Sequence, residues 1–297
     1  MPERMKAMLT RQELQEKVAG GIRFLDGATG SNLRKAGMPL GCCAEIWCLE
    51  NPEPVMALQR RYFEAGSQII YAPTFQAQPA ALKTVGRDAD TEIINKTLVE
   101  MSRKAAPGAL IAGNLTTLAV YMDSYSPALF DELVENYRRQ IRGLMDGGAD
   151  FLAAETLLYP QDSEAILTAA ELEEAGAVTY TYTMQPDGSL FSGMDAIGVL
   201  KELEEAGAAA VGFNCVAADE FTPALVSKMR RRLRGPIICK PNAGIPVIRE
   251  GGVADYPMTP EEFAAIQSNC AEMGASLLGG CCGTAPEYIR AMKEMLK

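Results

Sequence analysis

The sequence predicts an α/β protein, a single (β/α)8 TIM barrel, on three observations: eight glycines that each precede an apolar run, helical stretches between those runs, and no composition break. Gly21, Gly66, Gly108, Gly148, Gly176, Gly207, Gly235 and Gly274 each follow a helix end or chain turn. The runs after them are IRFLD, SQIIYA, ALIAGN, ADFLAAE, AVTYTYT, AAAVGFN, PIICKPN and ASLLGG. Most are too apolar to alternate cleanly, which suits strands buried on both faces. Helical patterns lie between them at Pro54 to Ala65, Asp131 to Met145, Ser163 to Glu174, Ala196 to Glu205 and Pro260 to Met273. Eight alternations favour a closed parallel barrel over a doubly wound sheet, which has fewer units and an early glycine-rich phosphate loop.

The chain has 297 residues, 48% of them hydrophobic. Barrels of about 250 residues fold as one unit, so residues 1–297 read as one domain, with 1–20 a helical extension. That extension is charged and amphipathic, and no run of 18 apolar residues marks a membrane span, so the expected location is the cytoplasm. A net charge of −10 disfavours nucleic acid and anionic membranes as partners. The one dense basic run, Arg230 to Arg234, reads as the solvated C-terminal turn of a helix. Histidine is absent, which removes Ser-His and Cys-His nucleophilic machinery and every histidine-ligated metal site. Eight cysteines in a large, well-cored chain point to metal binding rather than disulfides.

Barrel enzymes keep their chemistry where the strands end, and here those ends carry Asp26, Thr74, Asn114, Glu155, Thr183, Asn214 with Cys215, Asn242, and Cys281 with Cys282. The long irregular stretches Thr29 to Glu53 and Leu115 to Pro127 fall on the same rim. Strands six and eight are two apart around a barrel, so their ends lie roughly 10 Å apart between backbones, a gap three thiols can close onto one ion. Adjacent cysteines on a regular strand point to opposite faces, so the Cys281-Cys282 pair needs an irregular backbone. The setting Gly279-Gly280-Cys281-Cys282-Gly283 is expected to supply it. Three thiolates suit zinc, one per chain, with a fourth position left for substrate. The bland alternative is that these cysteines are small buried hydrophobes. Zinc would hold a substrate thiol as its thiolate without a general base, and an electron-rich sulfur then attacks an alkyl group, so alkyl transfer to sulfur is the expected reaction class.

The segments FLDGATGSNL, GFNC, KPNAG and GGCCGTAPEYIRAM resemble the homocysteine S-methyltransferase family over nearly the whole chain, from about Phe24 to Met295. The resemblance implies catalytic zinc ligands at Cys215, Cys281 and Cys282, with the Asn242 amide oxygen on zinc while substrate is absent. It further implies a substrate site in which Asp26 and Glu155 meet the ammonium group of homocysteine and the Gly27-Ala28-Thr29 amides meet its carboxylate, with Asn214 alongside. Two acids facing one pocket suit an ammonium partner. Many relatives carry Thr-Asn-Thr-Phe after the second strand, whereas this chain has Ala72-Pro73-Thr74-Phe75, which loses an amide side chain and a backbone donor and leaves another thiol open as acceptor.

The start LDGATG looks more like the cobalamin-dependent members than the betaine enzymes, so the implied donor is a methylcorrinoid, methylcobalamin carried by a separate protein. Betaine- or S-methylmethionine-dependent transfer is the alternative within the family. From other classes, a phosphate-binding barrel lyase or isomerase and a noncatalytic zinc- or thiol-binding module remain. Cys42, Cys43 and Cys48 cluster after strand one as a weaker candidate for a second metal or redox site, with no fourth ligand evident. Trp47 either walls the site or pins its loop, and Cys239 and Cys270 read as core.

Overall fold

The computed structural model describes residues 7–122, 126–248 and 254–296. Within them every predicted apolar run contains a strand: β1 Arg23–Phe24, β2 Ile69–Tyr71, β3 Leu110–Leu115, β4 Phe151–Leu157, β5 Val178–Tyr182, β6 Ala210–Ala217, β7 Ile237–Asn242 and β8 Leu277–Leu278. All neighbours pair in parallel, in the order β1-β8-β7-β6-β5-β4-β3-β2. The ring is completed between β1 and β2 by the Gln68 amide donating to the Phe24 carbonyl at 2.7 Å, while the Gln68 Oε1 accepts from the Phe24 amide at 3.2 Å. The helices between strands, including Pro52–Ala65, Thr91–Ala105, Phe130–Asp146, Pro160–Leu172, Ala196–Glu205, Thr222–Arg230, Pro260–Glu272 and Pro286–Met295, pack their apolar faces on the outside of the ring. The architecture is a single (β/α)8 barrel.

Three features differ from the sequence reading. The residues Thr29 to Glu53, expected as irregular, hold two short helices, Gly30–Lys35 and Ala44–Glu50. β1 and β8 are only two residues long, although backbone bonds continue past them, from the Gly279 amide to the Cys239 carbonyl and from the Gly280 amide to the Asp26 carbonyl. The N-terminal extension is part of the barrel: helix Arg11–Val18, started by a Thr10–Glu13 capping box, buries Leu14 and Val18. These pack with Leu9 against the interior residues Leu25, Phe151, Ile238 and Leu277. Leu9 also bonds the chain just before β4 and just before β5, through the Asp150 carbonyl at 2.8 Å and the Ala177 amide at 2.7 Å. The helix therefore closes the N-terminal mouth of the barrel. A part of the predicted stretch Leu115 to Pro127 lies outside the described residues. Among the described residues no helix is long and apolar enough to cross a membrane.

The barrel tolerates no side chain at Gly212, midway along β6. A Cβ there would lie 2.0 Å from the Ile238 carbonyl oxygen of β7. Gly212→Ala must push two adjacent strands apart and is expected to destabilise by about 1–3 kcal/mol. The measurement is the midpoint of denaturant unfolding, and an unchanged midpoint would show that β6 and β7 separate at no cost.

Candidate active site

The strand ends converge on one rim around a cavity of about 390 Å³. Its wall includes Asp26, Gly27, Ala28, Thr29, Glu155, Cys215, Cys281 and Cys282, so most of the residues singled out from sequence meet in one place. Asn214 and Asn242 stand directly behind this wall, bonded to residues of the cysteine cluster.

The ladder breaks where the functional side chains emerge. The register of β4 against β5 shifts between Ala154 and Leu157, and that of β6 against β7 between Asn214 and Ala217. Within those breaks Thr156 and Cys215 take left-handed backbone angles, φ 58° and 59°. Non-glycine residues in that region are strained and persist only where their surroundings hold them. Asn214, fully buried, is that hold: its Oδ1 accepts from the Thr156 amide at 2.7 Å and the Thr181 hydroxyl at 2.9 Å. Its Nδ2 donates to Thr156 Oγ1 at 2.7 Å and lies 3.8 Å from Cys281 Sγ. The side chain thus ties β4, β5 and β6 to the cysteine turn after β8.

That turn is pinned from several directions. The Cys281 amide donates to the Pro241 carbonyl at 2.7 Å, the Cys282 amide to Asn242 Oδ1 at 3.0 Å, and the Ala243 amide to the Cys282 carbonyl at 2.9 Å. Of its glycines only Gly283, at φ 84°, uses a left-handed conformation. Gly279 and Gly280 serve close approach instead, since a Cβ at Gly279 would sit 2.8 Å from the Asp26 carbonyl oxygen and one at Gly280 2.3 Å from Thr284 Oγ1. The expectation that glycine dihedral freedom lets both cysteines face one way holds at a single position, and steric clearance accounts for the others.

The result is a trio of sulfurs, Cys215, Cys281 and Cys282, all within 4.8 Å of one another. Cys215 Sγ and Cys282 Sγ are 3.9 Å apart. A tetrahedral zinc with Zn–S near 2.3 Å requires sulfurs roughly 3.8 Å apart, so the donor set fits that ion in both chemistry and spacing. Among themselves the thiols share protons unevenly. Bonds from Cys215 and Cys281 favour the Cys282 thiolate, lowered to about 3, whereas the bonds to Cys281 and Cys282, together with burial, hold Cys215 up as a thiol. No other group of histidine, cysteine or acidic residues among the described residues is placed to hold a metal. Cys42 is exposed, Cys43 half-buried and Cys48 buried, so these three do not form the second centre considered from sequence. Cys239 and Cys270 are core residues, as expected, and Trp47 packs against the main core rather than lining the cavity.

Sequence reasoning missed one residue at the floor of the cavity. Lys240 of β7 reaches Glu155 Oε2 at 3.1 Å and Asp26 Oδ1 at 3.5 Å, with its ammonium 3.6 Å from the centre of the Tyr71 ring. Its side chain is only 4% exposed. Burial draws its proton affinity down, but Glu155 and Asp26 outweigh that and keep it a cation. Burial pushes the Asp26 carboxyl up to about 6, against the pull of Lys240. Asp26 Oδ2 accepts from the Tyr71 amide at 2.8 Å and Glu155 Oε1 from Asn114 Nδ2 at 2.9 Å. A charged residue inside the apolar run PIICKPN was the available signal, because an ammonium in a doubly buried strand requires a buried partner. Glu45 was also missed; it is buried on the cavity wall and accepts from the Gln76 amide at 2.7 Å, and burial raises its carboxyl. Of the amides expected to meet a substrate carboxylate, that of Ala28 is engaged by Thr284 Oγ1 at 3.1 Å. Ala72 and Pro73, which depart from the family pattern, line the cavity together with Phe75.

Fold and site together define a (β/α)8-barrel enzyme with a three-cysteine centre able to hold a metal at its C-terminal rim. The chain belongs to the homocysteine S-methyltransferase family, whose model matches residues 23–296. It is 29% identical over 302 residues to methionine synthase of Mycobacterium leprae and 30% over 308 residues to that of Mycobacterium tuberculosis. Both matches cover 94% of this chain but only 24% and 25% of those proteins, so the chain spans about a quarter of their length. Among solved structures, the metallated form of the Escherichia coli homocysteine methyltransferase MmuM superposes with a TM-score of 0.79 at 26% identity, covering 93% of this chain and 96% of that one. A methyltransferase from Methanosarcina mazei, at 13% identity and a TM-score of 0.63 over 97% of this chain and 98% of that one, shares the fold.

Proposed function

We propose that this protein is a zinc-dependent S-methyltransferase that methylates homocysteine to methionine, with Cys215, Cys281 and Cys282 as the zinc ligands and a methylcorrinoid protein as donor. The observation that carries the reading is the sulfur trio, whose 3.9 Å Cys215–Cys282 spacing suits a tetrahedral ion. Bound there with one position open, zinc would hold an acceptor thiol as its thiolate at neutral pH. The chain's own residues supply the rest. Asn214 fixes the left-handed turns that aim Cys215 and Thr156. Asn242 orders the dicysteine turn through the Cys282 amide, and the second lone pair of its Oδ1 is the fourth ligand proposed for the acceptor-free state. Ala44 and Cys48 of the Ala44–Glu50 helix, with Phe75, line part of the cavity with apolar surface that would exclude water from the acceptor sulfur.

The corrinoid donor is supported by the LDGATG resemblance and by the match to methionine synthases. Zinc-loaded protein, homocysteine and one methyl donor at a time, methylcobalamin, S-methylmethionine or betaine, should yield methionine with methylcobalamin, read by mass spectrometry. Methionine from another donor alone would replace the donor and keep the reaction; none from any of the three would overturn the homocysteine reading.

A further inference from the structure

We propose that Lys240 is a specificity-determining residue: it supplies from the protein the cation between Asp26 and Glu155, so that the acceptor thiol needs no ammonium group of its own. The inference rests on the thiol methyltransferase reading above and concerns what the same cavity recognises. Asp26 and Glu155 are the carboxylates on the cavity floor beside the cysteines, and an amino-acid acceptor would present its ammonium to them. Each of their four oxygens already has a protein donor: Tyr71 and Lys240 on Asp26, Asn114 and Lys240 on Glu155. Carboxylate lone pairs outnumber those bonds, so contact is not sterically closed. The electrostatics are what change. With Lys240 in place the cluster carries one net negative charge rather than two, and an arriving ammonium meets a second ammonium within hydrogen-bond reach of the same acids. The net pull on an arriving ammonium thus falls from two negative charges to one.

Lys240 is held there by more than the two acids. Its ammonium sits over the Tyr71 ring, and its side chain is buried at 4% exposure, so a substrate cannot displace it toward water without opening the barrel floor. The cavity above is walled in part by Ala72, Pro73, Phe75 and Leu33, which pack on the carbon chain of a thiol, while the further acid in its lining, Glu45, is buried and accepts from the Gln76 amide. The acceptor class is therefore small aliphatic thiols with or without an α-ammonium.

Calorimetric titration of the zinc-loaded protein with homocysteine and with 4-mercaptobutanoate, which differs only by the missing ammonium, tests this directly. The two dissociation constants should agree within about threefold, well short of the roughly tenfold or larger gap that a charge-assisted contact to the ammonium would open. Lys240→Met leaves the acids without a cation, and homocysteine should then bind tenfold or more tightly than its deaminated analogue, with zinc content unchanged. A wild-type preference for homocysteine of tenfold or more overturns the proposal, and it does so even where Lys240→Met fails to fold. An unaltered ratio in a folded Lys240→Met variant overturns it as well. Binding of neither thiol would instead remove the thiol methyltransferase reading, and this proposal with it.

Discussion

Replacing Cys215, Cys281 or Cys282 with Ser is expected to abolish zinc retention while the barrel stays folded. Each supplies one of three sulfurs that lie within 4.8 Å of one another, and no fourth cysteine, histidine or acid among the described residues joins them. Serine keeps the volume but replaces a soft thiolate by a hydroxyl that stays protonated near neutral pH. Changes to groups that merely support a metal ligand cost about 10–100-fold in affinity, so loss of a ligand should exceed about 100-fold. The fold should survive because the trio sits at the rim, partly exposed, and not in the apolar layers that close the ring. Metal content after dialysis, read with circular dichroism on the same sample, decides the matter. Cys42→Ser is the control: its thiol is exposed and contacts the Pro39 carbonyl, so full zinc is expected. Stoichiometric zinc in all three rim variants would dissolve the proposed centre.

The second large effect is expected at Asn214, which touches the site without being a proposed ligand. Asn214→Ala removes the acceptor for the Thr156 amide and the Thr181 hydroxyl and the donor to Thr156 Oγ1, all in a fully buried setting. A buried polar group left unpaired costs about 1–3 kcal/mol, and here the Thr156 amide belongs to a residue already strained at φ 58°. Relaxation of that turn frees the neighbouring Cys215 turn as well, so zinc affinity should fall by about 10–100-fold together with thermal stability. Asn214→Asp separates the two roles: it keeps the acceptor for Thr156 and Thr181 but places a carboxylate beside Cys281. A variant that lost stability while binding zinc normally would reduce Asn214 to a scaffold residue.

The barrel and the sulfur trio were legible in the sequence because both depend on local or countable signals. A glycine before each apolar run marks where a helix ends and a buried strand begins, and eight repeats fix the ring. The order of strands in a closed parallel ring then brings the C-terminal part of β6 near the turn after β8, so Cys215 and Cys281-Cys282 could be placed together without coordinates. The N-terminal helix was also visible, through its charged amphipathic pattern, though not its function as the lid of the lower mouth, which comes from packing against residues of other strands.

What only the tertiary structure decided are pairings between residues distant in the chain whose chemistry does not name a partner. Lys240 meets Asp26 across 214 positions and Glu155 across 85, and nothing in either acid's neighbourhood distinguishes a protein ammonium from a substrate ammonium as the cation it faces. The left-handed turns at Thr156 and Cys215 were equally hidden, since neither residue type favours that conformation and each is held by an asparagine on another strand or its immediate neighbour. Propensity and periodicity report what a segment does alone. The charge balance of the cavity floor and the strain at its rim arise from which side chains the closed ring forces into one buried volume, where every charge must find a counterpart.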